Sequence, residues 1–128
     1  MSIATWLEKA NRSLTSAKLN LDDGDPDGAC NRAYYAMFHA ARAALVQSGQ
    51  DTLASAKTHS GLIGAFGAPL VKTGKIDALH GRAFSEVSRR RLVGDYEGDG
   101  VSEEHAKAAV ESAENFVVAV SDWTKDQA

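Results

Sequence analysis

Apolar residues recur at alternating spacings of four and three along most of this chain, and no segment sustains an alternation of period two. That spacing places an apolar stripe on one face of an α-helix and gives a strand no face to bury. Ile3, Leu7, Ala10, Leu14, Ala17 and Leu21 make one stripe, and Ala106, Ala109, Val110, Ala113, Phe116, Val117, Val120 and Trp123 make another. A striped helix is stable only against other helices, so the pattern predicts an all-α fold. The mostly short links predict an antiparallel, up-and-down four-helix bundle with one additional short helix.

Local chemistry sets the boundaries. Ser2 suits the N-cap of the first helix, which runs to about Asp23 with Trp6 at the core edge. In Asp22-Asp23-Gly24-Asp25-Pro26, Gly24 suits the left-handed position after a helix, Asp25 the next N-cap and Pro26 the first helical position. The second helix extends to about Ser48, with Gly49 as its stop. It is rich in alanine, buries Tyr34, Met37, Phe38, Ala41 and Leu45, and carries Tyr35, His39 and Arg42 on a neighbouring face. Such a row could line a polar groove or form hydrogen bonds within the bundle.

Gln50 to Lys57 has no period and reads as a loop. Thr58 or Ser60 can cap a short helix that Pro69 is expected to interrupt. Lys57 and His59 stand near its start, where an anion could bind, although ordinary exposed loop chemistry is the better explanation of them. Lys72 to Lys75 forms a basic turn. The next helix starts near Ile76 or Asp77, with Leu79, Ala83, Val87 and Arg91 expected on its core stripe. Ser102 caps the last helix, with Glu103 and Glu104 in its first turn.

The 128 residues fit a single domain over 1–128, long enough for a core without disulfides or metals. Fourteen lysines and arginines against seventeen acids give a net charge of −3, which argues against a general nucleic-acid coat but leaves room for a local basic pocket. Cys30 is the only cysteine, so no internal disulfide or cysteine-rich zinc site can form. The four histidines form no i, i+4 pair, and no glutamate stands three residues before any of them, so neither a metal nor a cofactor is expected. With no leader-like start and no long apolar run, the expected location is cytoplasmic, away from membranes.

Arg89-Arg90-Arg91 interrupts this economy, because adjacent guanidiniums repel one another and resist burial. Arg91 continues the buried stripe, while Arg89 and Arg90 turn away from it. An arginine at a core position wants a paired acid or a bound anion.

Asn31-Arg32-Ala33-Tyr34-Tyr35-Ala36-Met37-Phe38-His39-Ala40-Ala41-Arg42 resembles the second helix of HEPN-domain proteins. Arg91-Leu92-Val93-Gly94-Asp95-Tyr96 resembles the Arg-x-x-x-Asp-Tyr signature of one bacterial and archaeal branch, and the likeness covers nearly the whole chain. The resemblance implies a helical bundle that forms a homodimer. It implies a minimal nucleotidyltransferase as partner in a toxin–antitoxin-like pair. It also implies, in many members, a metal-independent ribonuclease built on an R-x4–6-H motif. There arginine would hold the scissile phosphate and histidine would move the proton of the 2′-hydroxyl.

This chain departs from that motif. Tyr96 stands where the histidine of R-x4-H would fall, and a phenol with a pKa of about 10 is a poor base at neutral pH. Three readings follow. The chain is a nucleotide- or RNA-binding partner, with Arg90, Arg91, Tyr35 and His39 around the anion. Or it is a ribonuclease toxin in which Arg91, Asp95 and Tyr96 carry a degenerate active site, with Tyr96 as a nucleotidyl acceptor as a variant. Or it is an interaction module in which Arg91 simply pairs with Asp95.

Overall fold

The computed structural model describes residues 2–50, 54–55 and 58–127. In chain order they form α1 (Ile3–Asp22), α2 (Pro26–Gln47), α3 (His59–Phe66), α4 (Ala78–Tyr96) and α5 (Glu103–Asp126). Of the expected loop at Gln50 to Lys57, Asp51–Leu53, Ala56 and Lys57 lie outside the described residues, as does the side chain of His59.

Each of these five helices starts on a side chain that satisfies an otherwise orphaned amide. Ser2 Oγ accepts from Thr5 N–H at 3.1 Å, Asp25 from Gly28 at 3.0 Å, Thr58 from Gly61 at 3.0 Å, Asp77 from Leu79 at 2.8 Å and Ser102 from His105 at 3.1 Å. Pro26 occupies the first turn of α2, where its missing N–H costs nothing.

α2 is the centre of the bundle and packs against α1, α3, α4 and α5. Its alanines at 29, 33, 36, 40, 41, 43 and 44 are fully buried, which lets neighbouring backbones come close. Where the alanines leave room, an aromatic knot fills it. Phe84 and Phe116 lie 5.3 Å apart between ring centroids, Phe66 and Phe116 5.2 Å, and Tyr34 and Phe84 5.9 Å. Rings at these separations gain more than their buried area alone.

Two expectations are corrected. Pro69 does not end its helix: α3 runs on into a π-helical turn over Gly67–Val71, with Lys72 N–H donating to Gly67 C=O at 2.9 Å. A change to the wider i→i+5 register accommodates the amide that proline lacks. Leu79 is not on the core stripe of α4 but is 57 % exposed. The helix is rotated so that Phe84, Val87, Ser88 and Arg91 face inward. Phe84 is taken into the aromatic knot, while Ala83 is partly buried against the core and Leu79 is left outside.

Candidate functional site

Arg91 sits at the meeting of α2 and α4. It lies one turn beyond Val87 and Ser88 on the inward face, so its side chain is only 7 % exposed. Its guanidinium carbon lies 4.8 Å from the centroid of the Tyr34 ring. Nη1 donates to Asp95 Oδ2 at 3.0 Å, four residues on, where the carboxylate side chain is 25 % exposed. Across the helix interface Asn31 Nδ2 donates to the same carboxylate, at 3.2 Å to Oδ2. Asn31 Oδ1 in turn accepts from Arg32 Nε at 3.0 Å and Nη2 at 2.7 Å. The chain Arg91–Asp95–Asn31–Arg32 thus holds one carboxylate from two helices.

One donor in this chain is left over. Arg91 Nε is buried and has no hydrogen-bond partner among the described residues. A buried donor without an acceptor costs about 1–3 kcal/mol. Tyr96 ends α4 with 78 % of its surface exposed.

The backbone around the site is positioned from α2. Asp27 Oδ1 accepts from Val101 N–H at 2.7 Å and so ties the connection between α4 and α5 to the start of α2. Gly94 makes that approach possible: a Cβ there would lie 2.9 Å from Val101 Cγ2 and 3.2 Å from Asp27 Oδ1. Cys30 is buried nearby, and burial pushes its thiol up to about 11, with the Asp95 charge adding to the effect. It is a protonated packing group rather than a nucleophile. Burial likewise raises the Tyr34 phenol, so Tyr34 serves Arg91 as a neutral ring face.

The remaining sequence candidates lie elsewhere on α2 and α4. Arg90 Nε pairs with Glu86 at 3.1 Å and lines a small cleft against α5 with His105 and Ser112. His105, far from the motif along the chain, is folded back to Arg90 rather than to Arg91. Arg89 is exposed surface, also paired with Glu86. His39 turns to α1, where its ring stacks on Trp6 at 5.6 Å, and Tyr35 lies 6.2 Å from His39 with the Arg32 guanidinium over its ring at 4.8 Å. The four expected anion-binding residues are therefore spread over three surfaces and do not line one pocket.

Asn31 and Asp27 were not singled out from the sequence. A cue existed for Asn31, which stands one turn before Tyr34 and Tyr35 on the same helix. Asp27 reads only as a first-turn acid, because its partner lies 74 positions away. Among the described residues, no group of three or more histidine, cysteine or acidic side chains is placed to hold a metal ion, and no helix is long and apolar enough to cross a membrane.

Comparison with known proteins places these residues in a family context. The family model described as HEPN domain matches residues 3–123. A "UPF0332 protein" of Thermotoga maritima is 35 % identical over 126 residues, covering 97 % of this chain and 92 % of the relative. A protein of Methanocaldococcus jannaschii named "Putative toxin" is 34 % identical over 115 residues, covering 90 % and 83 %. A "UPF0332 protein" of Gloeobacter violaceus is 32 % identical over 113 residues, covering 87 % and 86 %.

Proposed function

The chain belongs to the HEPN domain family, and from that premise we propose that it is the toxin-type member of a pair. Its α2–α4 site engages a phosphate of RNA or of a nucleotide, it works as a homodimer, and its partner is a minimal nucleotidyltransferase. The relative named as a toxin supports the class. The observation that carries the site is the buried Arg91, fixed by Asp95 and Tyr34 and left with an unused Nε donor. A guanidinium held in this way is already oriented for an oxyanion, so little ordering entropy is lost on binding.

Induced expression in bacterial cells tests the reading. The wild-type chain arrests growth, and Arg91→Lys, which keeps the charge but loses Nε and the planar fork, relieves the arrest at equal soluble level. Unimpaired growth with the wild type, or equal arrest with both, rejects it.

A second reading is favoured by one specific observation, the exposure of Tyr96 at the end of α4. There the phenol oxygen would attack the α-phosphorus of a nucleoside triphosphate held by the partner. Pyrophosphate would leave, and the proton would pass to a base on that enzyme. Mass spectrometry after co-expression is the check: a nucleotidyl adduct on Tyr96 supports this reading, and an unmodified Tyr96 removes it.

A further inference from the structure

The face of α2 away from Arg91 forms a cleft with α1 of about 370 Å³, lined by Thr5, Glu8, Lys9, Arg12, Ser13, Arg32 and His39. Three cations and one carboxylate line it, on a chain whose net charge is −3. Glu8 is taken up by Arg12 at 2.7 Å. No carboxylate among the described residues pairs with Lys9 or Arg32; Arg32 donates instead to the neutral amide oxygen of Asn31. A further cation, Arg42, lies over the Trp6 ring at 4.9 Å and over Phe38 at 4.5 Å. Trp6 in turn stacks on His39.

This concentration of charge acts on the histidine. His39 is pulled down to about 4, chiefly by burial and then by the charges of Lys9, Arg42 and Arg32, so it is neutral at physiological pH. Its Nδ1 is buried with no hydrogen-bond partner among the described residues. Like charges gathered around an unsatisfied imidazole cost stability unless an anion relieves them. The hydroxyls of Thr5 and Ser13 add neutral donors at the walls.

We propose that the α1–α2 cleft is a second anion site, one that binds a phosphate ester, either in an RNA strand or on a free nucleotide, through Lys9, Arg12 and Arg32 with His39 at its base. The ring faces of Trp6, Tyr35 and Phe38 already carry His39 or a guanidinium. Recognition is therefore of the phosphate and not of a stacked base, and the site is tolerant of sequence. The choice of a phosphate ester rests on the function proposed above, whereas the site itself is separate from Arg91. The Asn31–Arg32 pair joins the two places, so a strand that occupies the cleft is held on the helix that carries Arg91's partners.

The test uses the full-length protein in fluorescence-anisotropy titrations with a fluorescein-labelled uridine decamer and in calorimetry with AMP. The variant is Lys9→Ala/Arg12→Ala, which leaves Asn31, Asp95 and Arg91 untouched. Lys107→Ala/Lys125→Ala removes the same charge from the exposed face of α5 and serves as the control, with thermal midpoints showing that each variant is folded. The α1 variant is expected to bind the decamer about tenfold more weakly, with a salt dependence shallower by roughly 1.4, from about 0.7 per lost phosphate contact, while the control is unchanged. Loss confined to the decamer identifies the strand as the source of the phosphate, and an equal loss for AMP identifies the free nucleotide. Unchanged binding of both ligands, or an equal loss in the control, overturns the site. If Arg91→Lys weakens binding and the α1 variant does not, the function proposed above stands and this inference falls; the reverse pattern keeps the cleft and removes the Arg91 site.

Discussion

Arg91 and Asp95 make different demands on the protein although they form one pair. Asp95 keeps Asn31 and water if Arg91 is lost, because its side chain is 25 % exposed. Among the described residues, Arg91, 7 % exposed, keeps only the Tyr34 face if Asp95 is lost. Asp95→Ala is therefore expected to destabilise the fold by about 3 kcal/mol, the scale for stranding a buried charge. Arg91→Met, which fills the space without charge, is expected to cost less than half of that. Urea denaturation of the two variants checks the order, and equal losses would show that Arg91 is not dependent on Asp95. His39 makes a second residue-level prediction. Its folded pKa of about 4 lies below the ordinary 6.5, so between those values the unfolded chain binds more protons. The contribution of His39 is complete above pH 6.5 and is lost as pH falls towards 4. Urea midpoints at pH 7, 5.5 and 4.5 should fall less steeply for His39→Gln than for the wild type, and parallel profiles would contradict the assignment.

At the scale of elements, α4 shows what a sequence discloses and what it conceals. The caps at Ser2, Asp25 and Ser102 were legible, and that of α3 down to Thr58 or Ser60, because each depends on atoms three residues away. The stripes of α1 and α5 were legible because their apolar residues leave little choice of inward face. The stripe of α4 was legible from Ala83 to Arg91 but not at Leu79. Near Leu79 two faces compete, and the choice depends on Tyr34, Phe66 and Phe116, which belong to other helices. The π-helical turn at Pro69 and the Asp27 clasp were hidden for the same reason. Of the site, the pairing of Arg91 with Asp95 could be read from their spacing, while Asn31 and the dispersal of Arg90, Tyr35 and His39 over other surfaces required the packing of α2. Gly94→Ala tests the clasp. Its Cβ would press on Val101 and Asp27, at an expected cost of about 1–3 kcal/mol. Asp27→Ala, which leaves the Val101 amide without its acceptor, is expected to cost about 1–2 kcal/mol. Thermal midpoints measure both, and a Gly94→Ala protein as stable as the wild type would mean that the close approach is not maintained.

For the whole molecule, the proposed dimer needs a surface, and α4 offers one. Leu92 and Tyr96, 46 % and 78 % exposed, stand one turn apart on its outer side. Light scattering is expected to give about twice the 13.6 kDa of one chain, and Leu92→Glu is expected to return the protein to a monomer; a wild-type monomer would remove the dimer from the account. The bundle keeps α2 as the common wall of the two proposed phosphate sites, Arg91 on one side and the Lys9–Arg12–Arg32 cleft on the other, so each can be probed with the other intact. The most direct measurement of the proposed function is the affinity of a labelled uridine decamer for the folded wild type and for folded Arg91→Lys. The account predicts binding by the wild type and a loss of about tenfold or more in the variant, because lysine offers charge without the fork that Asp95 and Tyr34 hold in place. Equal affinity of the two proteins, with the α1–α2 cleft unaltered in both, would contradict it.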